Sequence, residues 1–292
     1  MSKQIKSNKR PRKPKSEENK PGKYDPRNNL NDLTGKEWLI RTKSFWETEP
    51  INEDKGAYKH PAPFLIRDVQ KNIEMFTKKG MKVLDPFVGS GTSIIAANQI
   101  GRYCIGIDLN AEYKKIALER FEALDVNNYE YIVGDSNVEV KNLSDIDYII
   151  TSPPYHNILR NDSKGIRNNN GKAYRIGARD GIKYYSDIEN DLGNFDEYSD
   201  FFKSLQSIMK SCYTVLKSGK YCTIIISDFT INKKEVFIQG DMVRLMQEIG
   251  FEFQGTTVLL QPVKPLYPFG YPYAYKINHH HQNIINFRKP KE

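Results

Sequence analysis

The residues best suited to chemistry are Thr151-Ser152-Pro153-Pro154-Tyr155. They follow a short apolar run, Ile146 to Ile150, that reads as a buried strand. Two consecutive prolines each lack an N–H and fix φ, so the chain can neither continue as a central strand nor enter a helix there. It is held rigid and extended as it leaves the sheet. Pro153 offers a carbonyl acceptor and no donor, Ser152 a hydroxyl, and Tyr155 a flat aromatic face. Such a turn suits a planar molecule with an amino group, whose ring stacks while two acceptors hold its N–H groups. The exocyclic amine of a nucleobase has that chemistry.

Three further polar signals fall just beyond predicted strands: Asp85-Pro86-Phe87-Val88-Gly89-Ser90-Gly91-Thr92, Gly106-Ile107-Asp108-Leu109-Asn110, and Gly134-Asp135-Ser136. Ligands of open α/β sheets bind outside the carboxyl ends of the strands. Several signals at one edge are harder to produce by chance than any one alone. Gly89 and Gly91 permit a tight turn before a helix. Their loop lacks the lysine of a phosphate-binding P-loop and does not fit the full dinucleotide glycine pattern. Asp108 ends a strand, where a carboxylate can accept from ribose hydroxyls. Asp85 suits a cationic amine rather than a pyrophosphate. S-adenosylmethionine offers that amine, a ribose, an adenine and no phosphate. Taken alone, Gly89 and Gly91 fit a ligand-free loop equally well.

The elements that must position these residues can be read from periodicity. Phe64, Leu65, Val69, Ile73 and Phe76 recur at helical spacing over 64–78, and Gly80 stops that helix. Strands at 82–85, 103–107, 129–133 and 146–150 then alternate with helices at 92–99 and 111–124, which argues for a parallel sheet covered on both faces. A helix over 198–216 ending before Gly219, a strand at 221–227, a helix at 240–249 and two closing antiparallel strands at 251–260 and 283–287 follow. Residues 28–60 read as polar and irregular, with Trp38, Phe45 and Trp46 as anchors onto the body.

The runs His60-Pro61-Ala62-Pro63-Phe64, Val83 to Thr92 and Thr151 to Tyr155, with the closing segment His279-His280-His281, Asn283 and Phe287-Arg288-Lys289, are very close to the pattern of one family. The chain resembles the amino-group DNA methyltransferases, which modify N4 of cytosine or N6 of adenine, over roughly residues 36–290. The resemblance implies a doubly wound, mostly parallel, seven-stranded Rossmann-like sheet. It implies S-adenosylmethionine as cofactor and double-stranded DNA as substrate. Asp85, Pro86, Phe87, Gly89, Ser90, Gly91 and Thr92 would line the methionine end of the cofactor. Asp108 and Leu109 would meet the ribose, and Asp135 and Ser136 the adenine. His60 and Phe64 would fold over the cofactor, although a core aromatic fits Phe64 and a surface loop fits His60 as well.

Ser152, Pro153, Pro154 and Tyr155 are the expected catalytic residues. Within the family, Ser at the position of Ser152 leans toward N4 of cytosine, with N6 of adenine the alternative. An RNA or protein-amide methyltransferase, and a non-enzymatic nucleic-acid-binding module of the same fold, are rivals from other classes. Intact cofactor and catalytic loops speak against the second. Methylation at carbon 5 of cytosine needs a thiolate, usually after a proline, and none of Cys104, Cys212 and Cys222 follows one. Their spacing fits neither pairing nor metal binding and suits a reducing cytoplasm.

Charge divides the chain. Residues 1–27 carry ten Lys/Arg and three Asp/Glu, net +7, against 34 and 33 in the remainder. This reads as a disordered basic tail ahead of a catalytic domain over 28–292. The tail suits attraction to phosphates or simple solubility equally. A polar insertion, 156–196, follows the catalytic turn. Its basic part, 156–186, has seven Lys/Arg and two Asp/Glu. A structureless stretch of that length inside a compact domain is uncommon unless functional. It is the expected target-recognition segment, with Arg160, Lys164, Arg167, Lys172, Arg175 and Arg179 contacting DNA. The acidic stretch 187–200 reads as the start of the next helix. Tyr267, Phe269, Tyr271, Tyr273 and Tyr275 could wall the base pocket or pack a Pro-rich loop. Adjacent histidines at 279–281 alternate faces on a strand, so no metal is expected. No apolar run approaches the ~18 residues of a membrane span, and the N-terminus does not read as a secretory signal. A cytoplasmic enzyme with a separate cognate restriction endonuclease as partner is the resulting expectation.

Overall fold

The computed structural model describes residues 22–59, 64–156, 186, 188, 190–231 and 234–291. Most of the basic tail, His60, and the basic part of the insertion with Arg160, Lys164, Arg167, Lys172, Arg175 and Arg179 lie outside the described residues.

The strand–helix alternation folds as the periodicity requires. β2 (Lys82–Asp85), β3 (Tyr103–Asp108), β4 (Tyr129–Val133), β5 (Ile146–Thr151) and β6 (Leu216–Ile226) are parallel neighbours in the order β6-β5-β2-β3-β4. The chain winds outward from β2 through β3 to β4, then returns to β5 on the other side of β2. The switch point of the sheet therefore lies between β2 and β5, where the loops that leave them diverge and open a crevice.

β5 is buried at every position, as a central strand covered on both faces must be. Alternate residues feed two cores. Leu84, Ile105 and Ile149 pack with Leu205, Ile208 and Met209 of α6 (Tyr198–Val215) and with Met242, Leu245 and Met246 of α7 (Ile238–Ile249). Val83, Cys104, Tyr148 and Ile150 pack with α2 (Ile66–Phe76), α3 (Thr92–Gln99) and α4 (Ala111–Ala123) on the opposite face. Cys104, Cys212 and Cys222 are all free and buried, and burial pushes their thiols up.

The sheet has eight strands, where seven were expected. β9 (Glu252–Leu260) and β10 (His281–Arg288) close it, β10 lying antiparallel to both β9 and β6. The extra strand is β1 (Phe45–Glu47), which adds parallel to β9 at the edge. It belongs to the segment read as irregular, which also carries α1 (Gly35–Arg41) behind a Thr34–Glu37 capping box. Of the three expected anchors only Trp46 is buried, its indole N–H donating to the Arg41 carbonyl at 3.1 Å. Trp38 and Phe45 face solvent. A three-residue strand is too short to show alternation, so composition alone could not locate it. A hairpin of β7 (Phe229–Ile231) and β8 (Lys234–Val236) stands apart from the main sheet. Among the described residues, no helix is long and apolar enough to cross a membrane.

Candidate active site

The two loops at the switch point are tied together by Asp85. Its carboxylate accepts from Thr151 Oγ1 at 2.7 Å, from the Phe87 N–H at 3.0 Å and from Ser93 Oγ. It is buried, and burial pushes its carboxyl up to about 6 against the lowering effect of these donors. The end of β2 and the start of the Pro-Pro-Tyr turn are thereby held in fixed relation.

The glycine loop is braced from behind. Tyr131 donates its hydroxyl to the Gly89 carbonyl at 2.7 Å, and the Gly89 N–H donates to Asp108 at 2.9 Å. Arg120, buried on α4, donates from Nη1 to the Ser90 carbonyl (2.6 Å), Ser90 Oγ (3.1 Å) and Thr92 Oγ1 (3.0 Å). Burial lowers its guanidinium to about 10. Gly91 sits at φ +80°, and a Cβ there would lie 2.5 Å from Phe121 Cζ. The close approach is thus made by a packed aromatic from α4. Gly80 has a similar φ of +79° with open space around it. Gly91→Ala is therefore expected to cost about 2–5 kcal/mol, combining the left-handed backbone penalty with overpacking, and Gly80→Ala only about 1–2 kcal/mol. Urea unfolding of the two variants checks this; equal midpoints would show that Phe121 yields freely.

In front of this loop lies a cavity of about 660 Å³, part of it open to solvent. One wall is the Pro-Pro-Tyr turn, Ser152, Pro153, Pro154 and Tyr155. Another is Phe87, Asp108, Leu109, Asn110 and Tyr113, and a third Asp135 and Ser136 at the start of α5 (Ser136–Glu139). Asn190, Asp191, Leu192 and Ile208 complete it.

The polar groups of the cavity are preset. Asp108 accepts from the Gly89 and Asn110 N–H groups, both at 2.9 Å. Burial pushes its carboxyl up to about 7, and the negative charges of Asp191 and Asp85 add to the rise. Asp135 caps α5 by accepting from the Asn137 N–H at 2.8 Å, and Ser136 Oγ donates to the Pro86 carbonyl at 2.6 Å. Asp191 accepts from Ser186 Oγ at 2.6 Å and from the Gly193 N–H at 2.8 Å. Three carboxylates and no Lys or Arg line the cavity among the described residues. That donor set fits a cationic ligand with hydroxyls and an amine and opposes a pyrophosphate, so it fits S-adenosylmethionine.

Tyr155 is buried, its hydroxyl accepting from the Ser227 N–H at 3.1 Å and its ring edge-on to Phe229 at 5.6 Å. The ring orientation is fixed by packing rather than by a ligand. His156, next along, is buried against Tyr198 and Phe201 rather than on the cavity, and burial lowers its pKa.

Of the residues expected at the cofactor, Phe87, Asp108, Leu109, Asp135 and Ser136 line the cavity, whereas Phe64, Asp85, Pro86, Gly89, Ser90, Gly91 and Thr92 do not. Phe64 packs against the core of the α2 face. Asp85, Ser90 and Thr92 have their side chains committed to internal partners, so they shape the site from beneath. Tyr267, Phe269, Tyr271, Tyr273 and Tyr275 do not wall the pocket. The acidic stretch 187–200 does more than start a helix: α6 begins at Tyr198, and Asp191 faces the cavity. Asn110 and Tyr113 had a legible signal. Asn110 caps α4 directly after Asp108, and the first turn of a helix that follows a strand faces the same crevice. Asn190, Asp191, Leu192 and Ile208 had none, because they reach the site through tertiary packing alone.

A negatively lined cavity at the switch point of a doubly wound sheet, walled by a rigid Pro-Pro-Tyr turn, defines a Rossmann-like methyltransferase. The family model described as DNA methylase, of the N6/N4 type, matches residues 2–119 and 146–292. The chain belongs to that family, and S-adenosylmethionine is its cofactor. It is 41% identical over 106 residues to the type II methyltransferase M2.DpnII of Streptococcus pneumoniae, a match covering 36% of this chain and 37% of that protein. It is 39% identical over 90 residues to the type II methyltransferase M.Cfr9I of Citrobacter freundii, covering 31% of this chain and 26% of that protein. These stretches span less than two fifths of the relatives' own length. Among solved structures, the precorrin 8w decarboxylase of Methanobacterium thermoautotrophicum superposes with a TM-score of 0.50 at 14% identity, over 82% of this chain and 98% of that one, and shares the fold. Among the described residues, no group of three or more His, Cys, Asp or Glu side chains is placed to hold a metal.

Proposed function

We propose that this protein methylates the exocyclic amine of a base flipped out of duplex DNA, with N4 of cytosine favoured over N6 of adenine. The observation that carries the reading is that Ser152, Pro153 and Tyr155 line the same cavity as Asp108 and Asp135. An amine acceptor site and a cofactor-type site therefore share one cavity. The preference for cytosine rests on Ser152 at the first position of the Ser-Pro-Pro-Tyr turn.

An aryl amine is a poor nucleophile because its lone pair is delocalised into the ring. Ser152 Oγ and the Pro153 carbonyl hold both N–H groups and favour a tetrahedral nitrogen. The lone pair is then freed from the ring and aimed along the cavity. S-adenosylmethionine, when bound, supplies an electrophilic methyl group on a sulfonium. Asp108 accepts from the ribose hydroxyls and Asp135 from the adenine amine, while Phe87 and Leu109 cover apolar surface. Tyr155 stacks on the flipped base with its ring already locked by Ser227 and Phe229. Transfer would break the sulfonium S–CH3 bond and leave a neutral thioether, and the methylated nitrogen, cationic and strongly acidic, would lose its proton to water without a dedicated strong base. The chain mainly supplies position and electrostatics. Extrusion of the base costs a few kcal/mol and is met by duplex contacts.

We assign those contacts to the 156–196 insertion of the 28–292 catalytic domain, through Arg160, Lys164, Arg167, Lys172, Arg175 and Arg179. The insertion's far end supports this, since Asn190, Asp191 and Leu192 line the cavity. A base recognised by the insertion would be delivered beside the catalytic turn. A cytoplasmic enzyme paired with a separate cognate restriction endonuclease is the setting this reading implies.

The test is transfer of labelled methyl to unmethylated duplex DNA, followed by digestion to nucleosides. N4-methylcytosine is the expected product. N6-methyladenine would reverse the base assignment, and absence of transfer would overturn the activity.

A further inference from the structure

The loop 261–280, which joins β9 to β10, rises from the sheet edge that carries the catalytic turn. The register fixes this: Thr151 pairs with Ile224 of β6, and Ile226, two residues on, pairs with Asn283 near the start of β10. Ser227 ties the two sites directly. Its N–H donates to the Tyr155 hydroxyl at 3.1 Å, and its Oγ donates to the His281 carbonyl at 3.0 Å.

The loop is braced. Asn278 spans its base, accepting from the Tyr267 N–H and donating to the Tyr267 carbonyl, both at 2.9 Å. The Gly270 carbonyl accepts from the Tyr273 and Ala274 N–H groups, both at 2.7 Å. Beyond this brace Tyr271, Tyr273 and Tyr275 are 81%, 94% and 87% exposed. Large rings held in water on an ordered tip gain nothing from the core, and a cluster of them marks a contact surface. The charge identifies the partner. Residues 261–280 contain Lys264 and Lys276 and no Asp or Glu, while His279 Nε2 meets Glu235 of β8 at 3.1 Å. A basic, aromatic loop complements a polyanion that presents flat π-faces.

We infer that Tyr271, Tyr273 and Tyr275 form a second DNA-contacting element, separate from the 156–196 insertion, which stacks on bases of the duplex beside the flipped nucleotide. The inference rests on the DNA methyltransferase reading. Extruding a base leaves its neighbours unstacked, and rings delivered from the same edge restore part of that stacking. The rings stand outside the cofactor cavity and make no contribution to its lining.

The test compares wild type with the triple variant Tyr271→Ser, Tyr273→Ser, Tyr275→Ser on mixed-sequence unmethylated genomic DNA. The variant should keep its fold by circular dichroism and its calorimetric Kd for S-adenosylmethionine. Its KM for DNA should rise about thirtyfold or more, given the size of base–aromatic stacking. The slope of log Kd for DNA against log salt should not change, because the lost groups carry no charge. An unchanged KM in an active enzyme overturns the inference and leaves the methyltransferase reading standing. A change in oligomeric state with unchanged KM overturns it in favour of self-association. Failure of the wild type itself to methylate DNA overturns both.

Discussion

Ser152→Ala is expected to lower kcat for methyl transfer by about two to three orders of magnitude while leaving the Kd for S-adenosylmethionine unaltered. The side chain lines the cavity at the mouth of a turn whose backbone cannot rearrange, because the next two residues are prolines. Losing the hydroxyl leaves the Pro153 carbonyl as the remaining acceptor of the pair. One N–H of the amine is then unheld, and the nitrogen stays closer to planar, with its lone pair still shared with the ring. The interaction grows as the nitrogen becomes cationic, so the loss falls on the transition state more than on the ground state. Removal of one preorganised polar group that meets developing charge typically costs about 10²–10³ in kcat. Steady-state transfer to saturating duplex DNA reads the effect, with calorimetry for the cofactor. A variant within threefold of wild type would remove Ser152 from the mechanism.

Tyr155 provides an internal comparison. Tyr155→Phe keeps the ring but strands the Ser227 N–H, a buried donor whose loss of partner costs about 1–3 kcal/mol of stability. Tyr155→Ala removes the ring as well. If stacking is its main contribution, the Phe variant retains far more transfer activity than the Ala variant at a temperature where both are folded.

The place of these two residues at the cavity was legible in the sequence because their signal is local. A strand that ends in Ser-Pro-Pro-Tyr has few conformations open to it, and the spacing of Asp85, Asp108 and Asp135 at successive strand ends puts them at one edge of any parallel sheet. The strand alternation likewise predicted a parallel sheet covered on both faces, but the order of its strands around β2 came only from the structure. What local pattern could not decide is which side of a loop faces the crevice. Asp85 looks like a cofactor ligand from its position at the end of β2, yet Ser93 and Thr151 occupy its oxygens. Ser90 and Thr92 are claimed by Arg120, a residue 28 to 30 positions later whose burial is invisible in a helix with mixed charge. Asp191 is the reverse case: it sits in an acidic run that suits a helix start, and only tertiary packing brings it within influence of Asp108. The exposed tyrosines of 261–280 failed in a third way. Their number argued for a wall or a core, and composition carries no information on direction.

Asp108 should make cofactor binding depend on pH, in a direction set by its own titration. In the empty site burial holds its carboxyl up at about 7, with Asp191 and Asp85 adding to the rise. Ribose hydroxyls donate to the carboxylate form, so bound cofactor favours ionisation and lowers that pKa. Below the empty-site value, binding must displace a proton; above it, the carboxylate is already present. Affinity for S-adenosylmethionine is therefore expected to rise by about tenfold between pH 6 and pH 8, since each unit of pKa displacement corresponds to about 1.4 kcal/mol. Binding near pH 7 should release protons, which calorimetry in buffers of different ionisation enthalpy detects. Asp108→Asn abolishes this titration while retaining an acceptor for one of the Gly89 and Asn110 N–H groups. Its affinity should be lower, by about ten- to a hundredfold for the loss of a charged hydrogen bond. Its pH dependence should retain only what the cofactor's own amino group contributes. Asp108→Ala goes further, leaving both backbone donors unsatisfied and freeing the loop that Tyr131 and Arg120 hold from behind. A wild-type affinity that is flat from pH 6 to 8, or a slope that survives in Asp108→Asn, would mean that the hydroxyls find another acceptor and that Asp108 serves only to fold the loop.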